Sequence, residues 1–182
     1  MFLIKMNNLT VHGLLQKKPI SIYRVIGECC LAVAAGTFAQ AISAQGPAEP
    51  RVVHIIWMGG DDCPPCVWWR REELPKLHKS PEFNAVTFSY VTKGIKSSVP
   101  PSFFLPVEVK PYKEKLDYAS SGRHGSPQAA IMVNGEVFDY FHRTRSAEDF
   151  DRMLVAIRTG SKYPFERCVK ASKQWGKCEV PG

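Results

Sequence analysis

The stretch VVHIIWMGGDDCPPCVWW, Val52 to Trp69, decides how this chain is to be read. It opens as an apolar run rich in β-branched residues, the composition of a strand. Gly59-Gly60-Asp61-Asp62 breaks the run as a turn, and Cys63-Pro64-Pro65-Cys66 then leads into a segment of helical composition. The order is strand, turn, dithiol, helix. A helix start exposes unpaired backbone N–H groups and the positive end of the macrodipole, so a cysteine placed there is favoured as thiolate. Two cysteines at this spacing can cycle between dithiol and disulfide.

A lone C-x-x-C also fits half of a zinc site, or a small structural disulfide. Zinc would need two more ligands from Cys168, Cys178, His54, His78, His124 or His142, and none of these repeats the spacing, so no metal is expected. Each histidine reads first as a surface or satisfied core residue; His124 stands nearest in sequence to the second informative stretch. That stretch is Gly125-Ser126-Pro127, followed by the apolar run Gln128 to Val133. Together the two stretches resemble the thioredoxin-like superfamily, in its exported thiol:disulfide interchange branch. The resemblance spans roughly residues 51–160 and implies a thioredoxin-like α/β fold, a central mixed sheet flanked by helices. It implies that Cys63 attacks and Cys66 resolves, with no cofactor beyond them. It also implies that Pro127 is a cis-proline facing the dithiol, with Ser126 beside the sulfurs and the loop's backbone pairing with an extended substrate segment.

The chain has 182 residues, 45% hydrophobic and 23% charged, which suits one domain with a sizeable core. Its N-terminus reads differently. Lys5, Lys17, Lys18 and Arg24 precede an apolar run from Cys29 to Ala39, and small residues follow at Ala39-Gln40-Ala41 and Ser43-Ala44. This is the order of a secretory signal, expected over residues 1–44, with an uncleaved membrane anchor as the alternative. Glu28 directly before Cys29 argues against lipid attachment. Cleavage would remove Cys29 and Cys30 and leave four cysteines, an even number that suits an oxidising periplasmic or extracellular space. It would also lower the net charge from +7 to +4. With no long basic run or aromatic-interleaved basic motif, nucleic acid is not an expected partner. Residues 45–50 read as a short tether.

Beyond the dithiol, Val67 to Leu74 reads as helix that Pro75 kinks or ends. Trp68 and Trp69 cannot face the same side. Either one packs under the dithiol while the other, taken as Trp68, joins an apolar substrate rim, or both sit partly in the core. Asn84 to Val91 alternates as a second strand. Residues 92–124 are the least legible: a substrate-contacting insertion and a crossover between parallel strands both fit, with a helix opened by Pro111 and stopped by Ser121-Gly122. Ala129 to Val133, the turn Asn134-Gly135, and Glu136 to Phe141 read as a hairpin. Ser146 with Asp149 then reads as a capping box for a helix whose apolar face is Phe150, Met153, Leu154 and Ile157, ended by Gly160.

The tail, 161–182, carries Cys168 and Cys178. A structural disulfide between them is the favoured pairing, and a second redox pair relaying electrons to Cys63-Cys66 is the sharper alternative. Pro64 and Pro65 withhold two N–H donors from Cys63, and Asp61 and Asp62 oppose a negative charge beside it, unless Arg70, Arg71 or Lys93 offsets them. A less stabilised thiolate makes a less oxidising disulfide, which leans toward a reductase. The chain departs from thioredoxin in carrying Trp57 where thioredoxins have a buried acid, Asp62 before the first cysteine, and Pro-Pro within the motif. The expected function is therefore dedicated, exported thiol–disulfide exchange with protein substrates and a redox partner that resets the dithiol. The tether leaves no room for a dimerisation domain, so a monomer is expected and isomerase is the lesser choice. The competing class is a thioredoxin-like binding module whose Cys63-Cys66 disulfide is structural.

Overall fold

The first strand, β1 (Val53–Gly59), is buried at every position, which is why its sequence is a continuous apolar run. The computed structural model describes residues 50–172, 174 and 177–179; the segment read as a signal peptide and residues 45–49 of the tether lie outside the described residues. β1 pairs in parallel with β2 (Thr87–Thr92) and antiparallel with β3 (Gln128–Val133). β3 pairs antiparallel with β4 (Glu136–His142), so the sheet order is β2-β1-β3-β4. Between β1 and β2 run three helices, α1 (Pro64–Glu72), α2 (Leu74–Leu77) and α3 (Pro81–Asn84); α4 (Lys113–Ser120) precedes β3 and α5 (Ala147–Thr159) follows β4.

Period-two alternation sends the two faces of β1 to two cores. Val53, Ile55 and Trp57 pack with Trp69, Leu77, Phe83, Phe150 and Met153 of α1, α2, α3 and α5. Ile56 and Met58 pack on the other face with Val109, Leu116 and Ala119 around α4. The fold is thioredoxin-like: a mixed four-stranded sheet flanked by helices.

Local chemistry sets the element ends. Asn134 and Gly135 take φ of 51° and 82°, the left-handed pair that a tight two-residue hairpin requires. Ser146 and Asp149 close the capping box on α5, and Gly160 ends that helix at φ 71°. Pro75 both ends α1 and occupies the first turn of α2. Two expectations are corrected. The second strand begins at Thr87, because Ser80 accepts the Phe83 N–H at 3.3 Å and caps one helical turn where a strand start was expected. The 92–124 connection is not a parallel crossover: it joins β2 to β3, which run in opposite directions on either side of β1. It includes 3-10 turns at Ser102–Phe104 and Lys110–Tyr112, the latter carrying Pro111 into α4.

The tail lies along β4. The Tyr140 N–H donates to the Cys168 carbonyl at 2.5 Å, and the Cys168 N–H donates to Asp139 Oδ1 at 2.9 Å. Ala171 N–H in turn donates to the Ala119 carbonyl at 2.7 Å, joining the tail to α4.

Candidate dithiol site

Strand register gathers three loops at one end of the sheet. Gly59 stands opposite Thr92, and Met58 opposite Gln128, so the chain leaves the sheet at the same end before Cys63, after β2 and before β3. Cys63 is the N-cap of α1 in an extended conformation, and its Sγ accepts the Cys66 N–H at 3.3 Å. Pro64 and Pro65 fill the first two helical positions and offer no N–H, so the Cys66 amide is the first one in the helix able to face the sulfur. Cys63 and Cys66 form a disulfide with Cα atoms 5.2 Å apart.

Thiol–disulfide exchange needs an attacking sulfur that a substrate can reach. In this disulfide form both cysteines have 0% exposure and belong to the core between α1, α5 and the sheet. Packing at Gly59 gives part of the reason: a Cβ there would lie 2.6 Å from Trp57 Cζ3 and 2.8 Å from Cys66 Sγ, so only glycine lets the indole and the sulfur close on the strand. The Trp57 ring stacks on Trp69 at 4.5 Å and on Tyr90 at 5.2 Å. Its buried N–H has no hydrogen-bond partner among the described residues. An aromatic slab of Trp57, Trp69 and Tyr90 thus packs in the same core as the two sulfurs.

The charges near the motif are engaged. Asp61 pairs with Arg70, which also donates to Tyr90 Oη at 3.4 Å, and Arg71 pairs with Glu72 at 2.7 Å. Asp62 Oδ2 accepts the Ile95 N–H at 2.9 Å. Lys93 is 4% exposed and donates from Nζ to the Gly125 carbonyl at 2.6 Å. Burial lowers its pKa to about 8, with the Asp62 charge pulling the other way. The sequence offers Lys93 as a cation that offsets Asp61 and Asp62 if it folds near the sulfur; its position just after β2, bonded to the Gly125 carbonyl, makes it a strut between loops of the site.

The Ser126–Pro127 peptide is cis. Pro127 immediately precedes Gln128, at the sheet end where Gly59 leads toward Cys63. Ser126 Oγ is buried without a hydrogen-bond partner among the described residues. Of the tryptophans, Trp69 is fully buried and donates from Nε1 to the Arg145 carbonyl at 2.7 Å, while Trp68 on the same helix is 47% exposed. Cys168 and Cys178 form a second disulfide, held to β4 through Asp139, a buried acid that sequence reasoning passed over. Burial raises the Asp139 pKa, against hydrogen bonds from the Cys168 N–H and the Tyr163 hydroxyl.

Among the described residues, no three or more His, Cys, Asp or Glu side chains are grouped to hold a metal, and no helix is long and apolar enough to cross a membrane. His124 Nδ1 shares a hydrogen bond with the Lys96 carbonyl at 2.6 Å, and His54 Nε2 one with Ser89 Oγ at 2.9 Å. Comparison with protein-family models, with curated proteins and with solved structures returned no match.

Proposed function

We propose that this protein is a thiol–disulfide oxidoreductase that acts on protein disulfides through Cys63 and Cys66, in an exported, oxidising compartment, and that it works as a reductase. The observation that carries this reading is the position of Cys63: it caps α1, with its sulfur on the helix N-terminus and the Cys66 amide aimed at it. In the reduced form the Cys63 thiolate attacks one sulfur of a substrate disulfide and expels the other as thiolate, giving a mixed disulfide. Cys66, as thiolate, attacks Cys63 Sγ, re-forms the Cys63–Cys66 disulfide and releases the substrate's second thiolate. Two electrons pass to the substrate, and a dithiol partner protein returns two electrons to reset the pair. The Pro127 loop, with the unpartnered Ser126 hydroxyl, lies at the same sheet end and offers backbone to an extended substrate.

The reductase direction follows from donor supply. Two prolines replace the first two helical amides, so a Cys63 thiolate keeps one first-turn donor, and a poorly stabilised thiolate makes the disulfide a weak oxidant.

The complete burial of both sulfurs favours a second reading, a binding module in which this disulfide is structural. Single substitutions separate the two. For the enzyme, Cys63→Ser brings reduction of a disulfide peptide down to the uncatalysed rate, while Cys66→Ser accumulates the mixed disulfide on Cys63. For the module, removing the bridge, which closes a very short loop, costs about 2 kcal/mol of stability and leaves partner binding in place.

A further inference from the structure

The outer edge of β4 and the tail enclose a pocket of about 580 Å3, and both cysteines of the second disulfide, Cys168 and Cys178, stand in its wall. The two disulfides differ in access. Cys63 and Cys66 are fully buried, whereas Cys168 is 7% exposed and Cys178 is partly exposed. The pocket wall is cationic. Arg123, Arg143, Arg145, Arg167 and Lys177 stand against three carboxylates, Asp139, Glu166 and Glu179, an excess of two positive charges. Two of the carboxylates are engaged elsewhere: Glu179 pairs with Lys170 at 2.7 Å, and buried Asp139 accepts the Cys168 N–H and the Tyr163 hydroxyl at 2.9 Å each. Arg143, Arg145, Arg167 and Lys177 form no ion pair among the described residues. Arg145 and Arg167 instead lie over rings, 3.6 Å from the Phe165 centroid and 3.7 Å from that of Phe138. Arg145 Nε is buried with no hydrogen-bond partner among the described residues. Stacking holds these charges in place without neutralising them. Positive charge fixed beside a reachable disulfide draws anions to it, an anionic attacking thiol included.

We propose that Cys178 is a modification site for small anionic thiols, which this pocket selects by charge. The pocket is of the size that takes small molecules. The incoming thiolate forms a bond to Cys178 Sγ, the more exposed sulfur; the Cys168–Cys178 bond breaks, and Cys168 keeps the electron pair as thiolate. Cys178 then carries a mixed disulfide. Attack of Cys168 on Cys178 Sγ restores the bridge and expels the small thiolate. Attack of a second small thiolate on the sulfur of the first releases the two as their own disulfide and leaves both cysteines reduced, the two electrons coming from the two small thiols. Opening the bridge does not require the sheet to unfold. The Cys168 carbonyl still accepts the Tyr140 N–H at 2.5 Å, and the Ala171 N–H still reaches the Ala119 carbonyl at 2.7 Å.

The test treats the full-length protein with mercaptoethanesulfonate, mercaptoethanol or cysteamine, thiols whose second group is anionic, neutral or cationic. Adducts are trapped by acid at early times and located by peptide mass mapping. Each rate is divided by that of the same thiol on an uncharged small disulfide, which removes differences in thiolate fraction and nucleophilicity. The first adduct is expected on Cys178. The sulfonate is expected to react roughly tenfold faster than the amine at low salt, and less than about twofold faster at about 1 M salt, where screening is nearly complete. R143Q/K177Q removes two exposed charges, equal to the excess, and is expected to bring the low-salt ratio near one. Circular dichroism verifies its fold. Glu166→Gln, also at an exposed position, adds to the excess and is expected to raise the ratio, so the charge argument is tested even if the double variant does not fold. A first adduct on Cys168, Cys63 or Cys66, a wild-type ratio near one, or a ratio unmoved by either folded variant overturns the proposal.

Discussion

Lys93 and His142 are cations whose charge the fold disfavours, and both sit where the sequence reads as ordinary strand ends. Burial lowers the Lys93 pKa to about 8 and the His142 pKa to about 4, the latter helped by the positive charges of Arg123 and Lys93. In each case the unfolded chain binds a proton that the folded chain has lost, so stability rises with pH across the window between the two pKa values. For His142 the window runs from about 4 to 6.5, and for Lys93 from about 8 to 10.5. Urea unfolding at stepped pH is expected to show gains on the order of 1 to 3 kcal/mol through each window. His142→Gln should flatten the acid limb and Lys93→Met the alkaline one; slopes left unchanged would contradict the burial. None of this was legible beforehand. A lysine before Gly94 looks like a solvated loop cation until three loops from distant parts of the chain close over it. Cys63 is likewise out of solvent, packed into the core with α1, α5 and the sheet, although its place at a helix start was plain in the order of Gly, Asp, Cys and Pro.

Elements whose signals are local were readable, and those held by distant partners were not. The hairpin at Asn134-Gly135, the capping box of Ser146 and Asp149, and the stop at Gly160 each depend on neighbours within a few residues, and each stands where the sequence placed it. The turn of helix at Pro81–Asn84 is too short to show a period, so it merged with the strand behind it. Glu73 gave no signal at all. It ends α1 buried, with Oε2 accepting the Ala147 N–H at 2.7 Å and Oε1 accepting Lys76 Nζ at 2.7 Å. Its partner in α5 lies 74 residues away. These bonds hold the Glu73 carboxyl below its usual pKa, that from Lys76 first and that from the Ala147 amide next. They also place a negative charge on the N-terminus of α5. Glu73→Ala is expected to lower stability by about 1–3 kcal/mol by leaving that amide without its acceptor, read as a fall of several degrees in Tm. A Tm within a degree of wild type would mean that α5 docks without this joint.

The two disulfides divide the labour of the described chain. Cys63–Cys66 stands at the sheet end where three loops meet; Cys168–Cys178 closes a short loop that ties the tail to β4 and α4. C168S/C178S is expected to cost about 2–3 kcal/mol, the entropy of opening so short a loop, and to leave peptide reduction at the dithiol intact. Loss of turnover without loss of stability would point instead to electron relay between the pairs. The mixed sheet and the dithiol's place directly after β1 were legible, because the continuous apolar run of a strand buried on both faces ends at the Gly-Asp turn before Cys63. The route of the β2–β3 connection was not, since a chain rich in proline and serine carries no period to follow. The most direct measurement is the reduction potential of Cys63–Cys66, by equilibration with glutathione or dithiothreitol and trapping of free thiols. A pair that equilibrates in the native protein, at a potential near the roughly −270 mV of thioredoxin, is the predicted result. A bridge that stays oxidised until the protein unfolds would contradict the oxidoreductase account and leave a binding module.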